Sequence, residues 1–176
     1  MRQPSPSHDA VHSIIALPLG DGRLLRIESA DDLAVRQSAA DLIARRYAWR
    51  RYGCFGLQPA PAAHRMTLAA RSGTATLGTL TVVLDSADGL AVDRSFGAEV
   101  AGLRRQGCRI AEFTRLAVES DLHGDRVLSA LFQVGHALAH RVHGHDLLLV
   151  EVNPRHVGYY QRMLGAMNVA LLFQLT

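Results

Sequence analysis

Two hydrophobic periods meet between residues 109 and 152, and their succession restricts the fold more than any other feature. Arg109 to Val118 (RIAEFTRLAV) reads as a strand. From about Asp125 to His143, Val127, Leu128, Leu131, Phe132, Gly135, Leu138 and Ala139 recur at helical spacing. Asp146 to Val152 (DLLLVEV) is a continuous apolar run, the pattern of a strand buried on both faces. Pro154 stands where a short helix can begin and Gly165 where it can stop. Asn168 to Leu175 reads as a last strand. Strands alternating with helices in this way predict an α/β layer fold.

The first half adds strands to the same sheet. Gly22 to Glu28 predicts a strand. Ser29 with Asp32 resembles a capping box at the head of a helix from about Asp31 to Tyr52. Leu33, Ala40, Ile43 and Tyr47 repeat on one side of that helix and are expected to face the core. Arg65–Arg71 and Thr76–Asp85 flank Ser72-Gly73-Thr74, a hairpin signal. Asp93 stands where it can cap a helix ending near Gly107. The predicted order is β-α-β-β-α-β-α-β-α-β, with mixed pairing. At 176 residues the chain fits one domain, over residues 12–176, behind a polar, proline-bearing arm at 1–11.

Composition removes several function classes. The 19 basic residues are all arginines, and a net charge of +3 is too small for a dedicated nucleic-acid binder. Two cysteines, Cys54 and Cys108, give no disulfide framework and no CxxC, and are expected as free thiols. No apolar run approaches the roughly 20 residues of a membrane span. The N-terminus MRQPSPSHDA lacks the apolar segment of a secretory signal. A cytoplasmic protein is expected. His136 and His140 lie one helical turn apart, but no ligand pattern surrounds them and no metal is expected.

The strand–turn–helix of the second half resembles the Gcn5-related N-acyltransferase superfamily. In that superfamily a helix N-terminus holds the pyrophosphate of coenzyme A, because free backbone N–H groups and the helix dipole favour an anion. The superfamily's turn usually reads Arg/Gln-x-x-Gly-x-Gly/Ala. Here it is His123-Gly124-Asp125-Arg126-Val127-Leu128, and the motif glycines fall on Arg126 and Leu128. That departure speaks against a short-chain acetyltransferase.

A closer resemblance is to the FeeM-type long-chain N-acyl amino acid synthases, relatives of the acyl-homoserine lactone synthases. It is carried, in order, by Arg46-Tyr47-Ala48-Trp49-Arg50, by Gly78-Thr79-Leu80-Thr81 with Asp85-Ser86 and Gly89-Leu90, and by Ala111-Glu112-Phe113-Thr114-Arg115-Leu116-Ala117-Val118. Glu151-Val152-Asn153-Pro154-Arg155-His156 and Tyr160-Gln161-Arg162-Met163-Leu164-Gly165 complete it. The resemblance implies a mixed central sheet flanked by helices. It also implies transfer of a long acyl group from acyl carrier protein or coenzyme A to an amino-acid amine. The donor is then a co-substrate, with no permanently bound cofactor and no metal. Relatives continue beyond the Leu-Gly with a Phe, a loop and two strands, whereas this chain has room for one.

Amide formation from a thioester requires an amine deprotonated, a carbonyl oxygen stabilised and a thiolate released. Glu112 stands alone as a carboxylate in an apolar strand, where burial raises basicity, and is the first candidate for general base. The alternative is a structural ion pair with an arginine. Glu112-Phe113-Thr114-Arg115 also resembles the Glu-x-Ser-Arg run of the autoinducer synthases. Period-two alternation puts Glu112 and Thr114 on one face and Phe113 and Arg115 on the other. Arg115 reads as an anion anchor or as a structural partner of an acid. Thr114 reads as a hydrogen-bond donor or a plain strand former.

Tyr160 stands near the tyrosine that, in the superfamily, protonates the leaving thiolate, with Tyr159 as rival; a core role is the other reading. Backbone amides of Leu116, Ala117 and Val118 are candidates to face the thioester carbonyl. Those from His123 through Gly124 to Val127 are candidates for the pantetheine phosphate, with Arg126 adding charge. Asn153 caps the next helix or lines the site; Arg155 and His156 contact acceptor or carrier. Trp49 walls the pocket, and Arg46 meets an acidic carrier protein. Monomer and homodimer both remain open. So do two other functions: an acyl-homoserine lactone synthase, and an inactive domain that binds acyl chains or carrier protein.

Overall fold

The computed structural model describes residues 13–48, 62–120, 123–152, 157–164 and 172–174. Its elements are β1 (Ser13–Pro18), β2 (Leu24–Ser29), α1 (Leu33–Ala48), β3 (Arg65–Ser72), β4 (Ala75–Leu84), α2 (Asp93–Arg105), β5 (Ile110–Val118), α3 (Gly124–His136), β6 (Leu147–Val150), α4 (Val157–Leu164) and β7 (Leu172–Gln174). α3 runs on into a π-helical stretch, Ala137–Val142. The strands form one sheet in sequential order, β1 to β7. Every pair is antiparallel except β5–β6, which the α3 crossover makes parallel.

The sheet is covered on both faces. Leu68, Leu80, Val82, Ala111 and Phe113 point to one side and bury Val127, Leu131 and Phe132 of α3, with Tyr160 of α4 packed on the same cluster. Each large apolar side chain removed from water there contributes roughly 1.5–3 kcal/mol. α3 lies unusually close to the sheet because two glycines face each other's elements. A Cβ on Gly78 would stand 2.5 Å from Val127, and one on Gly135 would stand 2.8 Å from Phe113. The opposite face is covered by α1, through Leu42 and Ile43 against Ala117, and by α2 with the turn before it, through Val100 and Val92 against Val83, Ile110 and Leu149.

The mixed α/β sheet agrees with the sequence reading, and six local details differ. Asp93 is the first residue of α2 and not its cap, which is Val92. β1 is an added edge strand ahead of the one expected at Gly22–Glu28. It has one neighbour, and Ile14 and Ile15 are exposed, so no buried alternation marks it. Asp32, not Ser29, caps α1: its Oδ1 accepts from the N–H of Ala34 (2.9 Å) and Val35 (3.3 Å). The buried stripe of α1 is Val35, Ala39, Leu42 and Ile43, and Leu33, at the first helical position, is exposed. β6 is shorter than Asp146–Val152, ending at Val150. The regular α-helix of the second half stops at His136 and not at His143. The arm at 1–11 and Cys54 lie outside the described residues; Cys108 is a free thiol.

Candidate active site

β5 and β6 are paired only from Ile110↔Leu147 to Phe113↔Val150. Beyond that point β5 continues to Val118 and β6 ends, so the two strands part. The edge of β5 from Thr114 to Val118 that faces away from β4 has no strand partner among the described residues. An extended ligand can add to such an edge through main-chain hydrogen bonds.

A β-bulge lies at this opening. Thr81 pairs with Thr114 and Thr79 with Ala117, so one residue between them, Leu80, faces two on β5. Ala111, Phe113, Leu116 and Val118 all pack toward α3, whereas Ala117 packs on α1. Strict alternation is therefore broken by one inserted residue, Arg115. Its φ of 49° is the only positive value at a non-glycine among the described residues, a strained conformation of the kind that collects at functional sites. Two side chains hold the bulge. The Thr79 hydroxyl donates to the Arg115 carbonyl (3.0 Å), and the Tyr47 hydroxyl to the Leu116 carbonyl (3.1 Å).

Glu112 is 1% exposed. Register places it beside Val83 on β4 and Leu149 on β6, on the face covered by α2. Its carboxylate accepts from the backbone N–H of Ala91 (2.7 Å) and of Val92 (3.1 Å), in the turn that opens α2. Burial pushes its pKa up to about 7; the two amides pull it down, and the charges of Glu151 and Asp93 add to the rise. No arginine pairs with Glu112 among the described residues. Glu151 is exposed, just past the end of β6, and accepts from the Ser95 hydroxyl (3.3 Å).

The turn that holds Glu112 is itself held. Asp93 accepts from the Leu90 N–H (2.7 Å). Arg104 donates to both oxygens of Asp93 and both of Asp85, at 2.7–2.8 Å. The Arg104 hydrogen bonds hold Asp93 well below the usual carboxylate range.

The α3 N-terminus flanks the opening from the other layer. Amides of the first turn, at Gly124, Asp125 and Arg126, have no intrahelical acceptor. The model for the family of N-acyl amino acid synthase FeeM matches residues 38–172, which include every element from β3 to α4.

The chain belongs to the FeeM family of N-acyl amino acid synthases. It is an N-acyltransferase. Its fold is shared with the solved structure of FeeM from uncultured soil microbes, at 21% identity and a TM-score of 0.69, over 82% of this chain and 79% of that one. An acyl-CoA N-acyltransferase from Pseudomonas aeruginosa has 14% identity and a TM-score of 0.56, over 82% and 88%. The GNAT domain of S. lividans PAT has 16% identity and a TM-score of 0.54, over 92% and 96%. No curated protein matches the chain by sequence.

Set on this FeeM-family frame, the sequence candidates separate. Glu112, Thr114, Arg115, Leu116, Ala117 and Val118 share β5, at and beside the bulge. Gly124 opens α3, where a Cβ would stand 3.5 Å from the Glu119 carbonyl. Arg126 turns away from the helix end: its Nη1 donates to the Pro18 carbonyl of β1 (3.1 Å). Tyr160 packs on Phe132 (ring centroids 6.0 Å apart), and Phe132 packs on Phe113 (5.3 Å). Tyr159 is exposed, and its hydroxyl stands 3.5 Å from the Asp125 carboxylate in the first turn of α3. Arg46 lies in the last turn of α1. Trp49, Asn153, Arg155 and His156 lie outside the described residues. The rings of His136 and His140 stack at 5.7 Å, and no group of three or more metal-ligating side chains occurs among the described residues. No described helix is long and apolar enough to cross a membrane.

Two features escaped the sequence reading. One is the Leu90–Val92 turn that binds Glu112; Asp93 and the arginine eleven residues later are its only trace. The other is Arg65, placed on the Glu112 side of the sheet by its register with Val83.

Proposed function

We propose that the protein transfers a long-chain acyl group from an acyl carrier protein thioester, with acyl-coenzyme A as the other donor, to the amine of an amino acid. One observation carries the mechanism. A buried carboxylate with its pKa raised to about 7 sits one residue pair from the point where β5 and β6 part. Such a group accepts a proton near neutral pH, as a general base must.

The donor's pantetheine arm extends along the free edge of β5, with its phosphate at the amides of Gly124–Arg126. The amine attacks the thioester carbon directly. Glu112 is buried, so it takes the ammonium proton through a water, on a lone pair left free by the Ala91 and Val92 amides. Amides of Leu116, Ala117 and Val118 stabilise the oxyanion, and Thr114 adds a hydroxyl beside it. Tyr160 protonates the departing thiolate. Acceptor and carrier recognition is assigned to Asn153, Arg155, His156 and Trp49, and Arg46 meets the carrier's negative charge. The carrier enters as a thioester and leaves as a free thiol in each cycle, as a co-substrate does.

Mass spectrometry of lipid extracts from cells expressing the protein tests this, with Glu112→Gln alongside. New N-acyl amino acids that disappear in Glu112→Gln are the expected result. Products that persist undiminished in the variant remove Glu112 as base. A folded protein that yields none, with either donor supplied in vitro, overturns the reading.

A further inference from the structure

A sheet face packed under helices is ordinarily apolar, and under α1 and α2 it is so at Ala69, Val83 and Ala117. Between them it is polar. Thr67, Thr81 and Thr114 stand side by side across three strands, and the next row carries Arg65 and Glu112. The Thr67 and Thr81 hydroxyls are 3.0 Å apart. The bulge adds Arg115 to this patch, within electrostatic reach of Arg65 and Tyr47.

Among the described residues no acid answers these two arginines. Neither Arg115 nor Arg65 makes a salt bridge or a side-chain hydrogen bond among the described residues, and the Arg115 Nε is buried without a partner. A guanidinium stays charged at any working pH. Burying it beside a second cation is unfavourable until an anion completes the arrangement. A strained bulge and an uncompensated charge at one residue both point to a ligand.

We propose that Arg115 and Arg65 seat the carboxylate of the acceptor amino acid. This rests on the N-acyl amino acid reading above and adds the group by which the acceptor is recognised. A planar guanidinium matches a carboxylate through paired N–H donors. The donor's phosphate offers similar chemistry, but sidedness separates the two. The first-turn amides of α3 lie in the layer on the opposite face, whereas Arg115 and Arg65 lie on the face of α1 and α2. With the donor along the β5 edge, this face is left to the acceptor. Its carboxylate rests at Arg115, and its amine points along β5 toward Glu112, whose strand neighbour on this face, Thr114, is about 7 Å away.

The test compares acceptors that differ only in this group. Wild-type protein with hexadecanoyl carrier protein or hexadecanoyl-coenzyme A is screened against the twenty L-amino acids. The best acceptor is then set against its own amide and its decarboxylated amine. The expected result is a KM about tenfold or more lower for the free carboxylate, the scale of a charge-assisted hydrogen bond. Arg115→Gln should remove most of that preference while leaving the donor KM unchanged. Arg65→Gln should reduce it as well, and serves if Arg115→Gln does not fold. Equal use of amino acid and amide by wild type overturns the proposal while N-acyl transfer stands. A rise in donor KM alone in Arg115→Gln assigns the pair to the phosphate and also overturns it. Failure to acylate any amine removes the underlying reading, and this proposal with it.

Discussion

Arg104 and Asp93 lie at opposite ends of α2 in sequence, yet their side chains meet at 2.7 Å. Eleven residues of straight helix would separate them by about 16 Å, beyond the reach of an arginine. The contact exists because Phe96 leaves helical geometry (φ −138°, ψ 38°), so the first turn folds back. That turn presents the amides of Ala91 and Val92 to Glu112. Arg104 thereby acts on Glu112 at one remove.

Replacing Arg104 with Met should loosen that turn and weaken the two amide bonds that restrain the Glu112 pKa. The rising limb of a pH–rate profile should then move above its wild-type midpoint near 7. A merely structural residue would lower the rate without moving the limb. Arg104→Lys, which keeps the charge but loses the fork, should shift it less. The arginine is one-third exposed, so the stability loss on urea denaturation should be modest, about 1–2 kcal/mol.

Activity and stability should respond to pH in opposite directions. The folded pKa of Glu112 lies above its ordinary value of 4.5, at about 7. The folded state therefore holds a proton that the unfolded chain has already released. The stabilising contribution is complete below pH 4.5 and is lost as pH rises through 7, amounting to about 3 kcal/mol at most. The rate, which needs the deprotonated base, should rise over the same interval. Denaturant titrations of wild type and Glu112→Gln from pH 5 to 8.5 check this. The stability difference between them should shift toward the variant as pH rises, and a difference independent of pH would refute the assignment.

The frame of this molecule is legible in its sequence because burial leaves periodic traces. Leu147–Val150 is apolar without interruption since both faces of β6 are covered. Val127, Leu131 and Phe132 recur helically because one side of α3 meets the sheet. The site is legible only in part. Glu112 stands out as an acid in an apolar strand, but its partners are main-chain amides, which carry no sequence signature. The bulge falls on an arginine, where no glycine announces a positive φ. Alternation counted through it assigns Arg115 to the wrong face. Arg65 resembles any charged residue at the start of a strand, and only the pairing of β3, β4 and β5 brings it level with Glu112.

The close seat of α3 should be sensitive to single methyl groups. Gly78→Ala places a Cβ against Val127 and Leu131, at 2.5 and 3.0 Å. Overpacking of this kind costs about 1–3 kcal/mol. Thermal unfolding should show the loss. Gly97→Ala, where an added Cβ would meet nothing within 4 Å beyond its own stretch of helix, should show no such loss; equal effects at both positions would contradict the close approach.

The bulge should matter to turnover more than to folding. Thr79→Val removes the hydroxyl that donates to the Arg115 carbonyl and keeps the shape of the side chain. Losing one such hydrogen bond costs about 1 kcal/mol of stability. The same loss frees the local conformation that sets the amides of Leu116–Val118, where the oxyanion is proposed to form. The expected signature is a fall in kcat of about tenfold or more with the donor KM nearly unchanged, since an oxyanion contact strengthens only in the transition state. Tyr47→Phe, which removes the matching support at the Leu116 carbonyl, should act in the same direction. A donor KM that rises while kcat holds would instead make the bulge part of donor binding, and would move the oxyanion site elsewhere.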